Sequence, residues 1–182
     1  MNGGSVSGPG RRRSGDLASG RGRIAPLMRL TVAVVGKPRH RSLAAAIEDY
    51  ETRAGRYWTL DVHEVKEEPA RGGTPERVVR QREGERLAAR IAPGARLVAC
   101  ALGGDRLSSE EFAGWLGRER DAGRDVAFAI GGALGLADDV VASAATRLSL
   151  APWTLPHELA RLVLAEQLYR AGTILRGEPY HK

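Results

Sequence analysis

From Met28 onward the chain alternates short apolar runs with longer stretches of helical spacing. Residues 30–35 (LTVAVV) are β-rich and stop at Gly36. Over 43–57, Leu43, Ala46, Ile47 and Tyr50 fall on one face of a 3.6-residue repeat, which predicts a helix. Residues 60–65 alternate imperfectly and predict a strand, followed by a loop over 67–73. Thr74-Pro75 then caps and starts a helix that reaches Ile91, with proline at the first helical position, and Pro93-Gly94 breaks it. Two near-continuous apolar runs, 97–102 (LVACAL) and Val126–Ile130 (VAFAI), have the composition of parallel strands covered on both faces. Between them Ser108 and Glu111 match a capping box, opening a helix to Ala122. Gly131-Gly132-Ala133-Leu134-Gly135 turns into a helix near Asp138. The last stretch predicts a strand over 147–151, a turn-prone loop over 152–156, an amphipathic helix over 157–172 and a polar tail.

Strands alternating with helices argue for an α/β domain with a mainly parallel sheet and helices on both faces. The length suits one domain over 28–182 with a sizeable core. In such sheets ligands sit beyond the carboxyl ends of the strands. That rule selects the loops after Leu102, Ile130 and Ala151, each containing Gly or Pro.

Composition changes this picture in two places. The net charge of +6 suggests a nucleic-acid partner until it is divided along the chain. Residues 1–27 hold five arginines against Asp16 and so account for +4, leaving only +2 for the rest. That first segment is rich in Gly, Ser and Arg, lacks an apolar period and reads as disordered. It is either a basic arm or an extension upstream of the strand that Met28 opens. It has no apolar core of a secretory signal, and no run in the chain approaches the ~20 apolar residues of a membrane span. The lone Cys100 excludes an internal disulfide and fits a reducing cytoplasm.

Candidate chemistry lies in three places. Gly131-Gly132-x-x-Gly135 lets a ligand approach the backbone, or is only a tight turn; its spacing is neither a dinucleotide fingerprint nor a phosphate loop. Residues 150–155 (LAPWTL) carry no strong acid or base and offer main-chain groups in an apolar wall, which suits adenine and ribose, or they cover the core. The third place is the polar set His157, Arg161, Glu166, Tyr169, Arg170, Tyr180 and His181. His157 and Arg161 share a helix face, and Glu166 with Arg170 reads as a surface pair of about 0.3–0.5 kcal/mol. No metal-ligand spacing and no Ser nucleophile elbow occur.

These residues together resemble the ribosomal RNA large subunit methyltransferase H family, which are small SPOUT-class enzymes. The resemblance is carried by Ile130-Gly131-Gly132-x-x-Gly135, by 150–157 ending Thr-Leu-Pro-His, by Arg161, by Glu166-x-x-Tyr169-Arg170-Ala171, by Pro179-Tyr180-His181 and by the opening 28–36. It implies a C-terminal trefoil knot, otherwise rare in folds, whose threaded segment forms a pocket for S-adenosylmethionine. It also implies a homodimer with the site at the subunit interface. The implied substrate is N3 of a pseudouridine in 23S rRNA, on the ribosome. By position, the cofactor would meet Cys100, Gly131, Leu150, Ala151, Pro152, Trp153, Thr154 and Leu155, largely through the backbone. His157 or His181 would take the N3 proton, Arg161 would stabilise the anion or hold phosphate, and Tyr180 would orient the base. Cys100 stands where the family pattern has Leu, and the 67–73 loop, basic in relatives, holds Glu67 and Glu68 against Arg71. Three rival readings remain: a non-catalytic ribosome-binding module on the same fold, a nucleotide-dependent Rossmann enzyme, against which the missing fingerprint argues, and the same chemistry on a different RNA.

Overall fold

A computed structural model of the chain describes Met1, residues 28–70 and residues 72–181, with only the backbone of His181. The expected disordered segment therefore lies, from residue 2 to 27, outside the described residues, as do Arg71 and Lys182.

Strand β1 (Arg29–Val35) sets the layers. Its side chains alternate between two apolar clusters, and from Leu30 to Val35 every residue is buried. Leu30, Val32 and Val34 face a cluster that includes Ala54 of α1 (Arg41–Ala54), Phe112 and Leu116 of α3 (Ser109–Asp121) and Leu164 and Leu168 of α5 (His157–Leu175). Ala33 and Val35 face the opposite cluster, with Leu87 of α2 (Glu76–Ala88) and Val140 of α4 (Asp138–Ser143). The expected helices on both faces are thus present, three on one side and two on the other.

All pairings among the five strands are parallel, in the order β2-β1-β4-β3-β5. Here β2 is Thr59–Val65, β3 Arg96–Asp105, β4 Val126–Ile130 and β5 Thr146–Leu148. Strand β4 is buried at all five positions because β1 and β3 flank it and helices cover both faces. Its register aligns Ile130 with Cys100, and Cys100 in turn with Leu148, so β4 and β5 end level with the middle of β3.

Several boundaries differ from expectation for identifiable reasons. Pro75 occupies the cap position of α2 rather than its first turn, with an extended ψ of 138°. Strand β3 continues past Leu102 to Asp105 through an irregularity in its ladder, where Asp105 pairs with Leu148. Strand β5 ends at Leu148, not 151, because the chain leaves the sheet: the Ser149 amide donates to the Asp105 carbonyl and its hydroxyl to the Ala151 carbonyl, 2.8 Å away. Helix α5 runs on to Leu175, and the tail closes in a 3-10 turn at Pro179–His181. The Ser108–Glu111 capping box forms as predicted, with Glu111 Oε2 accepting from the Ser108 amide at 2.7 Å.

Candidate active site

The middle of β3, the carboxyl ends of β4 and β5 and the start of α5 frame a cavity of about 640 Å3. Cys100, Ala101 and Leu102 come from β3, and Ile130 and the glycine turn from β4. The chain leaving β5 supplies Ser149 to Ala151 and Trp153 to Leu155, and α5 supplies His157 and Ala160. Among the described lining residues there is no Asp, Glu, Lys or Arg. A ligand here meets apolar walls and main-chain groups, and His157 is the lone titratable side chain other than Cys100. Burial pushes the Cys100 thiol up to about 12, so it stays protonated and behaves as a small apolar surface.

The glycine turn is built for close backbone approach. A Cβ on Gly131 would collide with the Gly135 main chain, lying 2.6 Å from its carbonyl oxygen, so only glycine fits. The turn is pinned by the Gly135 amide donating to the Gly132 carbonyl at 3.0 Å. At the rim, Trp153 and Leu102 are 68% and 60% exposed, unusual for large apolar side chains.

Of the residues expected at the cofactor, Cys100, Gly131, Leu150, Ala151, Trp153, Thr154 and Leu155 line this cavity. Pro152 does not; in the turn that carries 151–154, its neighbours face inward instead. Ser149, Leu136 and Ala160 also line it. They are small or apolar and carry no chemical signature; only their position next to a strand end or helix start could have marked them.

The expected catalytic set is not gathered in one place. His157 is the first residue of α5, its Nε2 buried without a hydrogen-bond partner. Arg161, one turn on, is 7% exposed and turns away from the cavity. Its Nε and Nη2 donate to Glu51 at 2.7 and 3.1 Å, and its Nη1 donates to Glu64 at 2.6 Å. Burial opposes its charge, but these two carboxylates outweigh that and raise its pKa. Arg161 is therefore committed to a buried ion network, not free to hold a phosphate or a developing anion.

Tyr180 stands elsewhere again. It folds back on α5, its ring centroid 4.5 Å from that of Tyr169 and its hydroxyl 3.4 Å from Glu166 and from Tyr50. Burial first, then the Tyr50 hydroxyl and the Glu166 charge, raise its phenol pKa, so it stays neutral. Glu166 and Tyr169 lie nine and twelve residues along the helix from His157, about 14–18 Å. Tyr180 does not line the cavity. The Glu166–Arg170 pair, at 2.9 Å, belongs to this half-buried tail cluster rather than to open surface. The His181 side chain is outside the described residues. Among those residues no group of three or more His, Cys, Asp or Glu could hold a metal, and no helix is long and apolar enough to cross a membrane.

The 67–73 loop, expected to be short of positive charge for gripping RNA, uses its acids internally. Arg86 and, at 2.7 Å, Arg82 bind Glu68 and hold its carboxyl below the usual range, while Arg39 binds Glu67 at 2.6 Å.

Comparison with known proteins agrees with this geometry. The family model described as predicted SPOUT methyltransferase matches residues 28–181. The ribosomal RNA large subunit methyltransferase H of Gemmatimonas aurantiaca is 61% identical over 155 residues, covering 85% of this chain and 100% of that one. The protein of the same name from Anaeromyxobacter dehalogenans is 46% identical with the same coverage. For the fold alone, a probable methyltransferase from Bordetella pertussis Tohama I superposes with a TM-score of 0.51 at 17% identity, over 80% of this chain and 95% of that one. A probable methylase family protein from Haemophilus influenzae Rd KW20 gives 0.50 at 12%, over 86% and 71%. A parallel sheet whose strand ends frame an uncharged, glycine-floored cavity, and a family match spanning that whole sheet, place this chain in the SPOUT methyltransferase family.

Proposed function

We propose that this protein methylates N3 of a pseudouridine in large-subunit ribosomal RNA, with S-adenosylmethionine as donor, on the assembled ribosome and in the cytoplasm. The observation that carries the reading is the cavity itself. Its charge-free walls and bare Gly131 backbone suit a neutral adenosine held by main-chain groups. The relatives named as large-subunit rRNA methyltransferases supply the substrate class.

S-adenosylmethionine supplies an activated methyl group when bound. The protein's share is to hold the attacking nitrogen roughly 3–3.5 Å from that carbon, in line, and to manage one proton. His157 stands on the cavity wall and is the proton acceptor available within one protomer; His181 is the alternative. Tyr180 keeps its role of orienting the base only if a second protomer brings it there. A homodimer with a shared site accounts for that separation and for the exposed Trp153 and Leu102 at the rim. We further assign the catalytic unit to 28–182, with the C-terminal segment threaded as a trefoil knot.

The test is calorimetric titration with S-adenosylmethionine, with NAD as control, followed by methyl transfer to ribosomes and to the naked stem-loop. Binding of the first ligand alone, and transfer to ribosomes far exceeding transfer to the stem-loop, is expected. Binding of neither ligand, even with ribosomes present, would leave a non-catalytic module on this fold.

A further inference from the structure

Behind His157 lies a second chamber, of about 220 Å3, walled by Arg39, Glu67, Glu68, Glu83 and Glu158. His157 stands on the wall of both chambers. Most polar groups of the second one are matched. The Arg39 amide donates to Glu158 at 2.9 Å, its Nη2 donates to Glu67 Oε2 at 2.6 Å, and the Glu68 amide donates to Glu83 Oε1 at 3.0 Å. Two buried atoms are left without a partner: Glu83 Oε2 and His157 Nε2.

The Nε2 atom has one carboxylate oxygen near it. Glu67 Oε1 lies 3.9 Å away, its sister oxygen fixed by Arg39. The backbone is shaped around this approach. Gly36 has φ +86°, and a Cβ there would lie 2.5 Å from Glu67 Oε1 and 2.9 Å from His157 Nε2. Only a glycine lets the two side chains come this near. At 3.9 Å the contact is longer than a hydrogen bond, as catalytic contacts often are before substrate fills the site.

We propose that Glu67 is a positioning residue for His157, and that the chamber behind them is the exit for the proton released by methylation. The proposal rests on the reading of His157 as the proton acceptor. As the N3 electron pair forms its bond to the methyl carbon, the carbon–sulfur pair stays on sulfur. The N3 proton passes to the imidazole nitrogen on the cavity side, and the proton on Nε2 passes to Glu67 and then to solvent. Glu67 thus fixes which nitrogen carries hydrogen before the reaction, leaving the other free to accept. Of the two acids of this loop, Glu67 serves the imidazole, while Glu68 stays with Arg82 and Arg86.

The test uses the full chain and its Glu67→Gln and Glu67→Asp variants. Three quantities are measured: cofactor affinity, the single-turnover rate on ribosomes, and the 15N spectrum of the His157 ring. In the native protein the ring is expected in the single tautomer with hydrogen on Nε2. Glu67→Gln should mix the tautomers and slow transfer about tenfold or more while cofactor affinity stays within about twofold; Glu67→Asp should recover part of the rate. A native ring with bare Nε2, or a Glu67→Gln variant at native rate, overturns the proposal, and the first needs no variant to fold. If the native protein binds cofactor but transfers no methyl group, the functional reading has failed, and the ring spectra still decide whether Glu67 sets the tautomer.

Discussion

At the residue scale, Cys100 shows how an unremarkable side chain tunes a site. It pairs with Ile130 on one side and Leu148 on the other, so it sits between the ends of two neighbouring strands and faces the cavity. A thiol fills less of that wall than an isobutyl group. Cys100→Leu should therefore tighten S-adenosylmethionine binding by about 1 kcal/mol, roughly fivefold, from one or two further buried carbons. Calorimetry checks this, and weaker binding would mean that the cavity has no room beside the cofactor. The strand that carries Cys100 was legible from the apolar run 97–102, whereas its place beside the cofactor was implied only by the family resemblance. The destination of Arg161 was not legible. Sequence placed it one turn from His157, but its partners Glu51 and Glu64 lie 110 and 97 positions away. Only the packing of α1 and β2 against α5 reveals that its charge is already used.

At the element scale, α5 ties the molecule together. Its start carries His157, its second turn is clamped to α1 and β2 by Arg161, and the Trp58 indole donates to the Leu168 carbonyl at 2.8 Å. Its far end holds the tail through Tyr169 and Glu166. Removing the central cation leaves Glu51 and Glu64 facing each other in a partly buried space. Arg161→Ala should cost about 3 kcal/mol, at the low end for a broken buried pair because Glu64 is partly solvated. Urea unfolding measures it; a loss under about 1 kcal/mol would show that water replaces the guanidinium. The helix itself was readable from its apolar period, and so was its start after Pro156. Its extension beyond Gly172 was not, because Thr173 is completely buried and donates its hydroxyl to the Arg170 carbonyl, a contact that lets a residue of modest helix propensity continue the element.

At the scale of the whole molecule, the parallel sheet with helices on both faces could be read from alternating elements, whereas the order of strands could not. That order depends on which strand pairs with which across many residues, and periodicity carries no such information. The same limit hid the distance between Tyr180 and the cavity, since residues close to one motif in sequence need not share its space. The family match begins at residue 28. Deleting residues 2–27 should accordingly leave the unfolding midpoint and cofactor affinity unchanged. Thermal melts and titration of the shortened chain provide the check, and a large loss of either would make the arm part of the enzyme.

The charge-free cavity has a consequence for how this site can change over time. A wall that recognises its ligand through peptide groups is specified by the path of the chain, not by the identity of each side chain. Substitutions such as a thiol for an isobutyl group can then accumulate around the ligand without abolishing its recognition, so long as Gly131 stays bare. Such a site is heritable as a shape, and drift is free at most of its positions and forbidden at a few.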